Sequence, residues 1–195
     1  MKREELSGAW SLDPIHTRIG FNTRHAMVTK VRGAFNDVVG EAHLNLDDMG
    51  KSWAEVAVDV GSIDTRNPDR DEHLRGADFF DVENYPTMTF TSTSIDEVDD
   101  SSFIVVGELT IKDVTKQISI PLGLTGIDTD HFGQMRAGLE GSRRINRQEW
   151  DVRWNAQLDS GGFLISDRVV LEFELSLIKQ VDQPEEELAD SDSDA

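Results

Sequence analysis

Hydrophobic and polar residues alternate with a period of two along most of the chain. The clearest case is the last long apolar stretch, one face of which carries Val169, Leu171, Phe173, Leu175 and Leu177. This period is typical of a β-strand with one buried and one wetted face, as in an antiparallel sheet. The pattern therefore predicts an all-β protein.

Similar alternation occurs in earlier segments, and turn-forming residues separate them. These segments are residues 19–25, 38–46, 56–60, 88–92, 103–109, 118–122 and 135–139. Together with the last segment they predict about eight strands, a number that closes a barrel able to hold one small ligand. We therefore expect an eight-stranded antiparallel barrel.

One segment between the predicted strands has the signals of a helix. Asn67 can cap a helix start, Pro68 suits the first turn, and Gly76 can end the helix. A second helical turn is possible at residues 26–32. We expect one short helix in a long connection.

Several inward-facing positions of the predicted barrel are small. They are Gly40, Ala42, Gly107, Ala137 and Gly141. Small inward side chains can leave room for a ligand, because empty apolar space loses packing energy. Glycines can equally mark bulges or bends that let a sheet curl. The sequence leaves both interpretations open.

The composition is strongly acidic and contains no cysteine. The 195 residues include 19 Lys and Arg against 38 Asp and Glu, a formal net charge of −19. A negative field repels phosphate backbones and anionic lipid surfaces, so we expect no nucleic-acid partner and no membrane insertion. Neither a secretion signal nor a bilayer-spanning apolar run is present, which predicts a soluble, cytoplasmic protein.

The end of the chain differs from the rest in composition. Residues 182–195 hold seven acids and no base. Such a segment is typical of a disordered solubilising tail. With no internal repeat or second domain, we expect an extension at 1–9, a barrel domain at 10–180 and a disordered acidic tail at 181–195.

The sequence shows no motif for catalysis or metal binding. The five histidines lack the spacing of a zinc motif, and no Gly-x-Ser-x-Gly nucleophile turn occurs. Asp71 and His73 lie two apart on the predicted helix and would not face each other. We therefore expect no catalytic residue, no metal site and no cofactor. Trp150 and Trp154 could line an entrance or merely cover the barrel's end.

Several ordered blocks between about residues 10 and 179 resemble the YceI-like polyisoprenoid-binding domain family. The strongest read Ser-Ile-Asp-Thr-Arg-Asn-Pro-Asp-Arg-Asp-Glu-His-Leu-Arg at 62–75 and Asp-Phe-Phe-Asp-Val-Glu-Asn-Tyr-Pro-Thr-Met-Thr-Phe at 78–90. Departures from the family's pattern include Thr23, where an apolar residue is common, the extra acidic tail and two further places. Asp113 stands where Gly is usual, although Asp tolerates a left-handed turn, and residues 145–151 alter the expected pocket rim.

The resemblance implies a lipocalin-like barrel whose long interior takes an isoprenoid chain, in members that are often exported and often homodimeric. On that resemblance we expect this chain to form a homodimer. It also implies that His16, His25 and His73 order the barrel's mouth. The expected ligand-binding residues are Phe21, Thr23, His25, Phe35, Gly40, Ala42, Leu44, His73, Phe79, Phe80, Met88, Phe90, Leu109, Ile118, Ala137, Leu171 and Phe173.

Three functions are compatible with this sequence. The leading hypothesis is a protein that binds a polyisoprenoid or isoprenoid-quinone-like lipid for carriage, storage or buffering and has no enzymatic activity. A cofactor-free enzyme acting on a hydrophobic substrate would instead need a histidine deep in the barrel beside a carboxylate. A protein–protein interaction module would use the acidic tail.

Overall fold

The computed structural model describes residues 3–159 and 161–180, and most of them lie in strands. The strands are β1 (Gly8–Leu12), β2 (Arg18–His25), β3 (Thr29–Phe35), β4 (Val38–Leu44), β5 (Trp53–Asp59), β6 (Ile63–Asp64), β7 (Thr87–Asp99), β8 (Ser102–Ile111), β9 (Val114–Thr129), β10 (Met135–Asn146) and β11 (Arg168–Lys179). The helix α1 spans Pro68–Arg75, and 3-10 turns occur at Arg3–Leu6, Met49–Lys51, Val60–Ser62 and Arg147–Trp150.

Eight of these strands close into an antiparallel barrel. Their order is β1-β4-β5-β7-β8-β9-β10-β11, and a further pairing of β1 with β11 completes the circle. The closing pairs join the two ends of the described chain, with Trp10 opposite Lys179 and Leu12 opposite Leu177. The predicted all-β, eight-stranded antiparallel barrel with one short helix is confirmed.

The remaining strands lengthen the barrel rather than widen it. The long strand β11 pairs with β1 near its end and with β2 through Val170–Glu174, so β1 and β2 act as one interrupted strand. In the same way β3 and β4 act as one interrupted strand, and so do β5 and β6. The reason is that β3 is hydrogen-bonded to β2 and β6 is hydrogen-bonded to β3. Eleven strands therefore form an elongated eight-stranded barrel.

The two ends of this barrel differ. The upper end carries the β2–β3 turn, α1, the β8–β9 turn and the β10–β11 connection. The lower end carries the first 3-10 turn and the β4–β5, β7–β8 and β9–β10 connections. Strands β6 and β7 do not pair, and α1 lies in the connection between them.

The helix α1 forms where its capping residues predict it. The Asn67 side chain accepts a hydrogen bond from the Arg70 amide at 3.0 Å, and the Gly76 amide donates to the carbonyls of Glu72 and His73. No helix in the described part of the chain has the length and apolarity needed to cross a membrane.

Two sequence-based expectations about turns need comment. The helical turn predicted at 26–32 is wrong, because Ala26 and Met27 adopt left-handed φ angles of 48° and 60° that reverse the chain into β3. The left-handed residue of the β8–β9 turn is Lys112, at φ 54°, and not Asp113.

Part of the predicted extension at 1–9 contributes to the barrel. Strand β1 begins at Gly8, Leu6 is buried, and the Trp10 indole donates to the Leu6 carbonyl at 2.8 Å. The predicted disordered tail at 181–195 lies outside the described residues.

Candidate functional site

An apolar cavity of about 430 Å³ extends along the inside of the barrel. Its lining reaches from Leu6 and Trp10 at the lower end to Trp154 and Leu164 at the upper end. Between them the wall consists mainly of inward-facing aliphatic and aromatic side chains of the strands. Sites for small molecules in proteins usually measure about 300–1,000 Å³, so the volume fits a ligand.

The inner side of β11 shows that the barrel is not filled by its own side chains. Its inward-facing residues remain partly accessible, although they point away from bulk solvent: Val169, Leu171, Phe173, Leu175 and Leu177. Across the barrel, the inward-facing residues of β8 and β9, such as Val105 and Ile120, are buried. The alternation that predicted a buried face therefore places that face against the cavity.

The lower end of the cavity is covered by the start of the chain. Leu6 and Trp10 are only 5% and 3% exposed, and both line the cavity. The hydrogen bond from the Trp10 indole to the Leu6 carbonyl fixes the two residues together. A ligand would therefore enter from the upper end.

Aromatic rings crowd the upper end. The His73 ring meets Trp154 edge to face at 4.7 Å and Phe79 at 5.0 Å, and the Phe79 and Trp154 rings lie 5.2 Å apart. His73 Nε2 also lies 2.9 Å from Asp78 Oδ2, which orients the ring. These side chains form a partly exposed apolar rim.

The buried Arg147 holds the β10–β11 connection over this rim. Its guanidinium donates to the carbonyls of Val152 and Trp154 at 2.7 and 2.9 Å, and to that of Ser166 at 3.2 Å. Burial lowers the pKa of Arg147, while the nearby Asp167 carboxylate acts in the opposite direction. One buried cation therefore joins the two ends of the connection.

A second polar cluster lies where α1 begins. Arg70 donates through Nε and Nη2 to the hydroxyl and carbonyl of Thr65, both at 2.7 Å. Asp71 accepts from the Thr65 amide and hydroxyl and is buried. Because Thr65 and Arg70 line the cavity, this cluster is one of the few polar parts of a mainly apolar wall.

Comparison with known proteins identifies the family of this chain. A family model described as the YceI-like domain matches residues 10–177. The chain belongs to the YceI-like domain family. A UPF0312 protein of Staphylococcus epidermidis is 33% identical over 164 residues, which cover 84% of this chain and 93% of that protein. A UPF0312 protein of Vibrio vulnificus is 33% identical over 137 residues, covering 70% and 72%.

Solved structures share the YceI-like fold. Burkholderia cenocepacia BcnA superposes with a TM-score of 0.74 at 22% identity, covering 85% of this chain and 98% of BcnA. A polyisoprenoid-binding domain from Saccharophagus degradans, implicated in plant cell wall breakdown, gives a TM-score of 0.67 at 16% identity, covering 88% and 98%. At these identities the likeness shows the fold.

The YceI-like barrel brings nearly all of the predicted ligand-binding residues to the cavity wall. Those that line it are Phe21, Thr23, His25, Phe35, Ala42, Leu44, His73, Phe79, Phe80, Met88, Phe90, Leu109, Ile118, Ala137, Leu171 and Phe173. Their contact with a ligand stays a prediction.

Gly40 is the exception. It does not line the cavity, because the Leu12 side chain covers its inner side, and a Cβ built on Gly40 would lie 2.5 Å from Leu12 Cδ1. Gly107 behaves alike, since a Cβ there would lie 2.5 Å from Phe90 Cζ. These glycines therefore allow neighbours to approach closely and do not create the cavity, whereas Ala42 and Ala137 do line it.

The three histidines that the resemblance assigns to the barrel's mouth lie in two places. His25 and His73 lie at the upper end, as the resemblance implies. His16 does not line the cavity, because it follows β1 in the exposed turn before β2 and binds Asp13 through Nδ1 at 2.7 Å. Asp71 and His73 have separate partners, Thr65 and Asp78, so they form no acid–base pair with each other.

Sequence reasoning missed part of the wall. Leu6 and Trp10 were not assigned to it, nor were Leu164 and Ile165, because these residues lie outside the alternating segments. The tryptophans were the signal in the sequence that could point to residues at the barrel's end. Trp150 covers the barrel's end, only 2% exposed with its indole bonded to the Leu109 carbonyl, and Trp154 lines the rim, so both of the interpretations left open apply.

Proposed function

We propose that this YceI-like protein binds a long apolar lipid of the polyisoprenoid or isoprenoid-quinone class inside its barrel, for carriage, storage or buffering. The observation that carries the proposal is the elongated apolar cavity of about 430 Å³ between Trp10 and Trp154. The polyisoprenoid-binding domain of S. degradans has the same fold, and we extend its ligand class to this chain as part of the proposal.

The energetics of the cavity support a chain-like apolar ligand. Burial of each methylene contributes about 0.8 kcal/mol, so several isoprene units could bind tightly without an ionic contact. A polar head would remain at the upper end, where His25 and the N–H groups of Arg70 that are not bonded to Thr65 lie beside the wall. Such an arrangement avoids the cost of burying an unpaired polar group.

The first test identifies the ligand itself. The purified full-length chain is extracted with organic solvent, and the extract is analysed by mass spectrometry. We expect an isoprenoid lipid, and added isoprenoid quinone should quench tryptophan fluorescence, since Trp10, Trp150 and Trp154 line the cavity. An extract without lipid, together with no quenching, would reject the proposal.

The second test fills the cavity. Leu171→Trp adds volume to a half-buried side chain inside β11, so we expect about tenfold weaker quinone binding with the barrel retained. Val170→Trp is the matched control, because its side chain faces outward on the same strand; its binding should stay within about twofold. Equal affinity of the two variants, with both folded by circular dichroism, would place the ligand elsewhere.

A further inference from the structure

Exposed apolar side chains stand beside the opening of the cavity. Met27 and Val28, at the tip of the β2–β3 turn, are 61% and 77% exposed, and Phe163 in the β10–β11 connection is 60% exposed. We call these three residues the lip. The Ala26 amide donates to the Leu164 carbonyl at 2.6 Å, so the two segments that carry the lip are joined.

The lip borders the cavity directly. His25, which precedes the turn, and Leu164, which follows Phe163, both line the cavity. Nothing in the packing of the barrel requires apolar residues at the tip of a two-strand turn, where polar residues would be solvated at lower cost. Apolar side chains at such an exposed place are typical of an interaction surface.

Basic residues surround the lip on the outer side of the barrel. The exposed cations on this side are Arg24, Lys30, Arg32, Arg144 and Arg168, which we call the basic face. Strand register groups them, since Arg24 pairs with Lys30 across β2 and β3, and Asn22 lies between Arg32 and Val170, the partner of Arg144. Arg24 also donates to the Val28 carbonyl at 3.2 Å, which places its charge against the lip.

The cations of the basic face lack acidic partners. Within residues 3–159 and 161–180, none of the five side chains forms an ion pair. Acids on these strands begin further down the barrel, where Arg18 lies 3.5 Å from Glu172 and 3.4 Å from Glu174. The basic face is therefore a local positive region in a chain whose net charge is −19.

The local charge decides what can touch this end of the molecule. Screening at physiological salt acts over about 8 Å, so a surface that contacts the basic face is governed by those cations more than by distant acids. The expectation from net charge, that anionic lipid surfaces are repelled, thus holds for most of the molecule and is reversed only where the basic face itself makes contact.

We propose that the lip and the basic face dock the open end of the barrel on an anionic lipid bilayer. The lip side chains enter the headgroup region while the basic face contacts lipid phosphates, the combination by which peripheral proteins hold a membrane surface. This inference rests on the proposed function, because a lipid ligand then passes between bilayer and cavity without crossing water. A soluble acidic partner would have no use for apolar side chains placed at the cavity opening.

The binding test uses the full-length chain and vesicles. We expect the protein to sediment with vesicles of phosphatidylglycerol and phosphatidylcholine and to bind poorly to phosphatidylcholine alone. High salt should weaken the binding, because the contribution of the basic face is screened. Failure to bind the anionic vesicles at low salt would overturn the proposal.

Two variants test the two parts of the surface. Met27→Asn with Val28→Asn and Phe163→Asn removes the lip, and Asn tolerates the left-handed φ of residue 27. Lys30→Glu with Arg32→Glu reverses part of the basic face. Since each basic residue near an anionic surface strengthens binding by about fivefold, each variant should bind vesicles at least about tenfold more weakly.

Matched controls lie outside the lip and the basic face. Val98→Asn with Phe132→Asn removes two apolar side chains, 60% and 77% exposed, from the last part of β7 and from the β9–β10 connection at the lower end. Lys51→Glu with Lys116→Glu reverses two exposed cations elsewhere. Both controls should bind vesicles within about twofold of the unaltered chain. Equal losses in variants and controls would overturn the proposal.

The remaining outcomes separate docking from ligand binding. Organic extracts of every variant are analysed by mass spectrometry; lip variants that keep their lipid but lose vesicle binding support docking. The protein is also tested with polyglutamate. If it binds polyglutamate more tightly than vesicles, and still does so without the lip, the surface binds a soluble polyanion and the docking proposal is overturned. A chain that holds no lipid yet needs the lip for vesicle binding would reject the proposed function alone.

Discussion

At the scale of single residues, the buried carboxylate of Asp13 joins strands that are distant in sequence. Asp13, 5% exposed at the end of β1, accepts from Arg136 Nη1 at 2.5 Å and from the Ile15 amide at 3.0 Å. Arg136 reaches onward to Asp130 at 2.7 Å. Burial alone would raise the pKa of Asp13, but hydrogen bonds from Arg136, His16 and Ile15 outweigh it and hold the pKa at about 2.

This depressed pKa predicts acid sensitivity. The carboxyl titrates near 3.8 in the unfolded chain and at about 2 in the folded barrel, so the unfolded state takes up the proton first as the pH falls. The stabilisation is complete above about pH 5 and disappears between about pH 4 and pH 2. Urea unfolding across this range should show that the free energy of unfolding decreases as the pH is lowered.

Asp13→Asn isolates that contribution. We expect the variant to lose about 2 kcal/mol of stability at neutral pH and to show a flatter pH dependence below pH 4. Asp37→Asn, at an exposed carboxylate after β3, is the control, and its unfolding free energy at neutral pH should change by less than about 0.5 kcal/mol. Parallel curves for the chain with and without Asp13 would contradict the assignment.

At the scale of elements, the β10–β11 connection depends on one guanidinium. Arg147→Met would leave the carbonyls of Val152, Trp154 and Ser166 without their donor, at a cost of about 3 kcal/mol in unfolding free energy. Because Trp154 belongs to the rim, we also expect faster amide exchange in residues 151–159 and faster release of a bound quinone.

The control for this element lies in the same connection. Arg153→Met removes an exposed cation whose side chain bonds to Asp151, so its unfolding free energy should change by less than about 0.5 kcal/mol. Hydrogen exchange by mass spectrometry and stopped-flow release of quinone measure the two effects. If Arg147→Met released quinone at the same rate as the unaltered chain, the β10–β11 connection would not control ligand exchange.

At the scale of the whole molecule, closure of the lower end combines the first and last parts of the described chain. Leu6→Ala should lower the unfolding free energy by about 2 kcal/mol, because a buried side chain that covers the cavity is truncated. The difference in tryptophan fluorescence between the folded and the unfolded chain should also become smaller, because Trp10, whose indole bonds to residue 6, becomes more exposed to water.

Ile15→Ala is the whole-molecule control. Its side chain is of similar size but 85% exposed, so urea unfolding should shift by less than about 0.5 kcal/mol. Should Leu6→Ala and Ile15→Ala prove equally mild, the first turn of the chain would not seal the barrel.

The sequence by itself determined the local features of this protein. Alternation in segments such as 169–177 specified strands with one apolar face, and Asn67 with Gly76 specified the limits of α1. Both follow from neighbours in the chain, which decide side-chain direction and capping. Ordered motifs such as residues 62–75 also carried the resemblance to the YceI-like domain family, which the match over residues 10–177 confirms.

Only the tertiary structure decided which strands meet, what the apolar face encloses and where charge gathers. The pairing of Trp10 with Lys179 and the bond of Asp13 to Arg136 join residues more than a hundred positions apart, and no local pattern encodes such contacts. Alternation is the same for a filled barrel and a hollow one, because it records only the direction of a side chain and not the volume left between facing walls. The basic face likewise arises from the register of four strands, while the net charge of the chain points the other way. The lip arises from the bond between the Ala26 amide and the Leu164 carbonyl, which are 138 positions apart.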